Sequence, residues 1–316
     1  MPVHVSPDNF NRAETDMYFQ SIVKEGGLGT FEHFRTLAPI DQQTVIRSNR
    51  DTLYSAAVFD LDAGPVTITL PEAGPRFMSM QVIDEDQYAV AVVYGAGSYT
   101  LMREKIGTRY VLVAIRTLVD PRDPNDFARV HVLQDAITVK QKSPGLFVVP
   151  DWDPVSRKKV HDALLVLAET IPDSHHMFGP RSKVDPVRHL IGSAMAWGGN
   201  PETDAMYLNV TPAKNDGKTV HRLAVRDVPV DGFWSISVYD ADGYFEPNAA
   251  DAYTVNNLTA TTGPDGSIVV QFGGDGDDPQ VNWLPITPGW NYIVRLYRPR
   301  AEILDGAFAF PEAQPI

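Results

Sequence analysis

The chain of 316 residues contains no cysteine. This excludes thiol nucleophiles, thiolate-bound metals, iron–sulfur clusters and disulfides together, and it is compatible with either redox compartment. Basic residues are also scarce. The 27 Lys and Arg against 40 Asp and Glu leave a formal net charge of −13, with no Lys- or Arg-rich run. Nucleic acid and anionic membranes call for a basic stripe, so neither is expected as a partner, and the acidic excess serves solubility. No apolar run approaches the roughly 18 residues that span a bilayer. Met1 to Phe10 has no cationic stretch followed by an apolar one, so no secretory signal is read there. The expected compartment is the cytoplasm, with export as the alternative if a signal peptide has been removed. Gly-x-Ser-x-Gly, His-Glu-x-x-His and a glycine-rich phosphate loop leading into a helix are all missing, which disfavours a triad hydrolase, a zinc protease and a dinucleotide site.

What is present is an ordinary globular composition, long enough for one large or two medium domains and for a core without staples. Ser6 and Pro7 predict the start of a helix that Gly26 and Gly27 stop, with Ala13, Met17 and Ile22 on its apolar side. From about Val45 to Val119, runs rich in β-branched and aromatic residues predict strands at 56–61, 66–70, 77–83, 88–94 and 110–117. Short Gly-Pro turns between them predict an antiparallel sheet curled into a barrel-like form. Asp123-Pro124, Asp153-Pro154 and Asp185-Pro186 each place a capping carboxylate before a proline, and predict three helix starts. The third helix is expected to end at Gly198-Gly199, with Val187, Leu190, Ile191 and Ala194 as its apolar stripe. Strands return at 206–210, 219–225, 233–239, 253–255, 267–272 and 292–297, a spacing that favours an antiparallel sandwich. The fold class is α+β and mainly β: a helix plus antiparallel β domain over 1–122, a mainly helical segment over 123–204, and a β-sandwich over 205–316.

Asn49-Arg50-Asp51-Thr52-Leu53-Tyr54 sets polar groups just before an apolar strand. If the strand already runs there, Arg50, Thr52 and Tyr54 share one face, and Arg47, Asn49 and Asp51 the other. Arg50 suits a carboxylate or a developing oxyanion, Tyr54 suits a proton donor, and Asp51 a general base. The competing interpretation is a buried ion pair that joins strands or domains. His175, His176 and His189, the last four residues after Asp185, lack a metal-ligand pattern and are read as loop and helix-face residues. Gly273 to Asp278 occurs once and is read as an acidic loop rather than one turn of a calcium repeat. Trp234 and Trp283, each next to a turn or a polar residue, are the aromatic candidates for stacking on a ligand. A sandwich core would account for the other large aromatics.

Val45-Ile-Arg-Ser-Asn-Arg-Asp-Thr-Leu-Tyr54, together with Asp231-Gly-Phe-Trp-Ser235, Asn282-Trp-Leu-Pro285 and Arg295-Leu-Tyr-Arg-Pro299, resembles a bacterial family of paired domains of unknown function. These are numbered 1254 at the N-terminus and 1214 at the C-terminus. The resemblance implies a β-rich first domain, a helical insert and a C-terminal sandwich of jelly-roll character, with export in many members. It implies no activity.

The expected function is that of a small-molecule enzyme of hydrolase or lyase type, working without a cofactor or a metal. Its pocket is expected between the two β domains. Arg50, Asp51 and Tyr54 are the catalytic candidates, with Asn49, Trp234, Trp283 and Arg295 binding substrate. The alternatives are a non-catalytic carbohydrate or organic-acid binder using the same pocket, and an assembly protein that forms a homo-oligomer through its sandwich faces.

Overall fold

The computed structural model describes residues 1–43 and 46–316, so Val45, which opens the first motif, lies outside the described residues. Two compact units are formed. The first comprises Met1–Arg35, Leu53–Leu118 and Asn125–Glu202; the second comprises Thr36–Thr52, Val119–Pro124 and Thr203–Ile316.

In the first unit, α1 (Phe10–Lys24) is followed by β1 (Glu32–His33), β2 (Thr52–Asp60), β3 (Val66–Leu70), β4 (Met78–Asp84), β5 (Ala89–Tyr94), β6 (Gly97–Leu101), α2 (Arg103–Ile106), β7 (Tyr110–Leu118), α3 (Pro124–Asp135), β8 (Thr138–Lys140), α4 (Pro154–Ala168) and α5 (Pro186–Met195). The strands pair antiparallel in two sheets, a five-stranded one ordered β1-β2-β7-β4-β5 and a three-stranded one ordered β6-β3-β8. The mainly β, antiparallel class expected from the sequence is what forms, and among the described residues no barrel is closed.

Alternation explains the layering. Phe59, Met80, Val82, Val113 and Ile115 of the larger sheet share one core with Val66, Ile68 and Leu70 of the smaller. Val58, Ile83, Tyr110 and Leu112 face the other way, toward Phe19 of α1. Phe10 and Ala13 of α1 then pack against Leu164 of α4 and Ile191 of α5.

The Asp-Pro signals work as predicted at α4 and α5. The carboxylates of Asp153 and Asp185 accept the amides two and three residues on, and proline follows at the first helical position. Helix α1 starts later than Ser6, because the Ser6 hydroxyl accepts the Asp8 amide within a preceding turn. Helix α5 ends at Met195, before Gly198, and Val187 points outward at 66% exposure.

Gly29 shows how tightly these layers approach. Its φ is +71°, and a Cβ there would lie 2.6 Å from the Pro144 Cβ and 2.9 Å from its Cα. Gly29→Ala is expected to cost about 1–3 kcal/mol through left-handed strain and overpacking. A thermal melt that matches the parent would remove this contact as a constraint.

The second unit contains β9 (Ala205–Val210), β10 (His221–Val225), β11 (Trp234–Tyr239), β12 (Thr254–Asn256), β13 (Ile268–Phe272), β14 (Asn282–Leu284), β15 (Asn291–Tyr297), α6 (Ala301–Leu304) and β16 (Gln314–Pro315). Two sheets, β14-β13-β10-β16 and β12-β11-β15-β9, enclose a core of Trp234, Ile236, Val270, Phe272, Trp290 and Leu296 among others. The pairing is antiparallel except that β14 runs parallel to β13. The short β14, built around Asn282-Trp283-Leu284, lacks the length and β-branched content that mark a strand in sequence.

Candidate functional site

The second unit gathers part of the group expected from sequence. Along β11 and β15, one set of alternate residues enters the core. The other set, Ser235, Ser237, Tyr239 and Arg295, forms a polar face that meets the Arg47 and Ser48 carbonyls. Arg295 is 3% exposed. Its Nη1 donates to Ser237 Oγ at 2.8 Å, and its Nη2 approaches the Arg47 and Ser48 carbonyls at 2.8 and 3.2 Å and the Tyr239 hydroxyl oxygen at 2.7 Å. The Tyr239 hydroxyl donates in turn to the Ser48 carbonyl at 2.8 Å.

Asp51 is fully enclosed. Its Oδ1 accepts from Asn256 Nδ2 at 3.2 Å and lies 3.4 Å from Thr254 Oγ1, while its Oδ2 has no partner. Burial raises the Asp51 carboxyl above the usual carboxylate range, and the Arg295 charge with the neighbouring donors pulls it back. Asn49 accepts the Asp51 amide at 2.7 Å and donates to Thr52 and Tyr297.

The remaining candidates lie elsewhere. The strand begins only at Thr52, so no strand alternation orders Arg50 and its neighbours. The half-buried Arg50 guanidinium donates to the Ala38 carbonyl and lies 5.2 Å from the centre of the Tyr253 ring. Burial lowers its pKa. Tyr54 belongs to the first unit, with the Arg116 guanidinium 5.4 Å from its ring. Trp234 occupies the sandwich core at 3% exposure, on the face of its sheet opposite Arg295. Trp283 sits in the other sheet and donates to the Gly273 carbonyl at 3.1 Å. His175 pairs with Glu202 at 2.5 Å, and His189 lies 2.9 Å from both the Met177 and Asp86 carbonyls. Among the described residues, no three His, Asp or Glu side chains are grouped to hold a metal ion.

A second constellation, which the sequence reading did not single out, surrounds a cavity of about 300 Å³ within the first unit. Arg12 and Asp16, four apart on α1, share a helix face. Glu85 follows the end of β4, in a turn where the Asp84 carboxylate accepts the Asp86 and Tyr88 amides. The start of β7 and the extended stretch through Val148, Val149 and Trp152 complete the lining. Tyr110 fixes that stretch: its hydroxyl donates to the Leu146 carbonyl at 2.7 Å and accepts the Val148 amide at 2.8 Å.

Asp16 is the unusual group here. It is 1% exposed; Oδ2 accepts from Trp152 Nε1 at 2.8 Å, and Oδ1 has no partner. Burial lifts its carboxyl to about 7, the charge of Glu85 adds to the rise, and the Trp152 hydrogen bond and Arg12 oppose it. Arg12 itself is committed to Asp86, through Nε at 2.9 Å and Nη2 at 2.8 Å. No signal in the sequence marks this residue: Glu14, Thr15 and Asp16 read as a polar run on a helix, and all three are buried, where a surface helix would expose most of such a run.

Residues 28–141 match the family described as "Protein of unknown function (DUF1254)", and residues 205–301 match "Protein of unknown function (DUF1214)". Among solved structures, the chain is similar to the VPA0106 protein from Vibrio parahaemolyticus, at 16% identity and a TM-score of 0.72 over 98% of both chains. It is also similar to an uncharacterized protein from Burkholderia cenocepacia, at 12% identity and a TM-score of 0.51, over 96% of this chain and 87% of the other. Likeness at these identities is one of fold alone. No curated protein matches the chain.

Proposed function

Because this chain belongs to the proteins that pair the domains of unknown function 1254 and 1214, and that pairing names no reaction, we propose a function from its site: an acid–base enzyme of hydrolase or lyase type, acting on a small molecule in the first unit's cavity with Asp16 as the proton-transfer group.

One observation carries this reading. A buried carboxyl borders the cavity with an unpartnered oxygen. A buried polar atom normally finds a partner, and an enclosed one without a partner, on a residue that borders a concavity, marks a group kept for chemistry rather than for packing. With its proton held to about 7, Asp16 is present near neutrality in both forms. It can take a proton from water or from a carbon acid, or deliver one to a leaving group. The Glu85 charge favours the protonated form, and Trp152 fixes the other Asp16 oxygen. The Asp51–Arg295 cluster has a different part in this reading: its donors are engaged by main-chain carbonyls and hydroxyls, and it holds the second unit together.

Asp16→Asn tests the assignment. In a screen of esters, amides, glycosides and β-elimination substrates, the parent is expected to turn over at least one class. The variant should lose about 10²–10⁴-fold, as expected for removal of a general acid–base. The parent's pH–rate profile should carry a limb near 7 that the variant lacks. Turnover unchanged by Asp16→Asn would take this residue out of the mechanism. Ligands that raise the melting temperature by mass action, with no product from any class, would make the chain a binding protein instead.

A further inference from the structure

His189 of α5 is 1% exposed, and both of its ring nitrogens meet main-chain acceptors. Nδ1 lies 2.9 Å from the Met177 carbonyl, and Nε2 lies 2.9 Å from the Asp86 carbonyl. A carbonyl oxygen can only accept. A neutral imidazole carries one N–H and one bare nitrogen, so it satisfies one of these carbonyls and turns a lone pair on the other. The imidazolium, with hydrogen on both nitrogens, donates to both, and such charge-assisted bonds are about twice as strong as neutral ones.

The surrounding groups pull in both directions. Tyr88 stacks on the imidazole with ring centres 4.2 Å apart and planes 12° apart, and a cation gains from an aromatic face. The turn at 84–88 also carries three acids. The Asp86 carboxylate is bound by Arg12 of α1 and by Arg181, the Asp84 carboxylate accepts the Asp86 and Tyr88 amides, and Glu85 accepts the Tyr110 amide. From α1, Asp16 adds a further carboxyl near Glu85 and Asp86. Against a second proton stand the Arg181 guanidinium, 4.4 Å from the centre of the same Tyr88 ring, and the N-terminal end of α5. The charged groups next to His189 along the chain are engaged: Asp185 caps α5, and Arg188 binds Asp173 at 2.7 Å.

We infer that His189 is a proton-operated clasp. Doubly protonated, it ties the loop at 171–185 to the turn at 84–88. When one proton leaves, one of the two carbonyls loses its donor inside a buried contact, and that side is released. The turn is braced by the Gln87 amide on the Asp84 carbonyl at 3.1 Å. The loop is braced by the Met177 amide on the Ser174 carbonyl at 3.2 Å and the Asp185 amide on the His176 carbonyl at 2.9 Å. These amides report which side opens. Glu85 and Arg12, respectively on the turn and bound to it, both line the first unit's cavity, so the clasp bears on one of its walls.

Long-range ¹H–¹⁵N correlation of the histidine rings tests this on the whole protein between about pH 5 and 8. Comparison with His189→Gln identifies the His189 signals among those of the eight histidines. At the acid end both of its ring nitrogens are expected at the protonated position; toward the alkaline end one should move to that of a bare nitrogen. Over the same steps, amide exchange corrected for its intrinsic pH dependence should quicken about tenfold, at Met177 and Asp185 or at Gln87 and Tyr88, as one charge-assisted bond is lost. His189→Gln, with a single donor nitrogen, should exchange at the fast rate at every pH. If that variant does not fold, the parent's exchange and ring signals decide alone. A bare nitrogen already at the acid end, both protons kept to the alkaline end, or proton loss with exchange unchanged would each overturn the inference. Neither readout involves turnover, so the clasp and the catalytic role of Asp16 fail separately. The exchange step should persist in Asp16→Asn; a step lost in that variant would belong to Asp16 and would remove the clasp.

Discussion

Arg295→Ala is expected to lower stability by about 3–5 kcal/mol, the range found when one member of a buried charged cluster is removed. The loss has several sources on one side chain. The Arg47 and Ser48 carbonyls lose their guanidinium donor, and Ser237 and Tyr239 each lose a bond. Asp51, wholly enclosed, loses the positive charge that offsets its burial. Burial also works against the Arg295 charge itself, but Tyr239, Tyr297 and Asp51 outweigh it and the pKa moves up, so the guanidinium stays charged across the working range. Arg295→Lys should recover little, because one ammonium cannot reach in two directions as the planar fork does. Urea unfolding of parent and variants gives the number. A cost under about 1 kcal/mol, the worth of a single ordinary hydrogen bond, would mean that the polar face contributes little to cohesion.

The second large effect is a pH dependence. The Asp16 proton is held to about 7 in the fold, against 3.8 for a free side chain. Between these values the folded chain keeps a proton that the unfolded chain has released. Its contribution to stability is therefore full below pH 3.8 and is lost as pH rises through 7. The whole change is on the order of 4 kcal/mol, with a slope near 1.4 kcal/mol per pH unit. Asp84, pushed up to about 6 by burial, acts with the same sign at lower pH, Asp51 is also raised by burial, and His33, lowered by burial from 6.5, acts with the opposite sign, so the Asp16 contribution is read as the difference between parent and variant. Carboxylates with lowered values, such as Asp216 at about 2, act at lower pH still. Asp16→Asn should flatten the slope toward pH 7 and leave the variant the more stable form above it. Parallel denaturation curves for parent and variant across pH 6–7.5 would mean that Asp16 is not held protonated.

Much of the architecture could be read from residue order, because its signals are local. β3, the β4–β5 hairpin and β7 match alternating apolar runs bounded by turns, and the Asp-Pro pairs announce helices whose caps involve only the next three residues. The shortest strands, β1, β8, β14 and β16, escape such a reading, since two or three residues are too few to show a period. The polar cluster was half legible. Asn49, Asp51 and Arg295 stand out by composition, but which face each occupies depends on where β2 begins, and it begins one residue after Asp51. Trp234 illustrates the ambiguity of an aromatic next to a turn: its strand parity sends it to the core. Asp16 was hidden because an acidic residue in a helix is ordinarily solvated. Only the burial of α1 on two sides, against the sheet and against α4 and α5, gives that position its meaning.

The segment Thr36–Thr52 is synthesised early, yet most of the unit to which it belongs, apart from Val119–Pro124, starts only at Thr203. Gln43 is tied to Phe245 by two bonds at 2.8 Å, and Asp51 to Asn256 across 205 positions. Loop closure over such distances is slow, so this stretch must wait on the ribosome until nearly the whole polypeptide has emerged. For the same reason a fragment trimmed to Thr203–Ile316 would leave the Arg295 fork without its two carbonyl acceptors. Recombinant work on the second unit would therefore need the early stretch supplied as well, as a fused or added peptide.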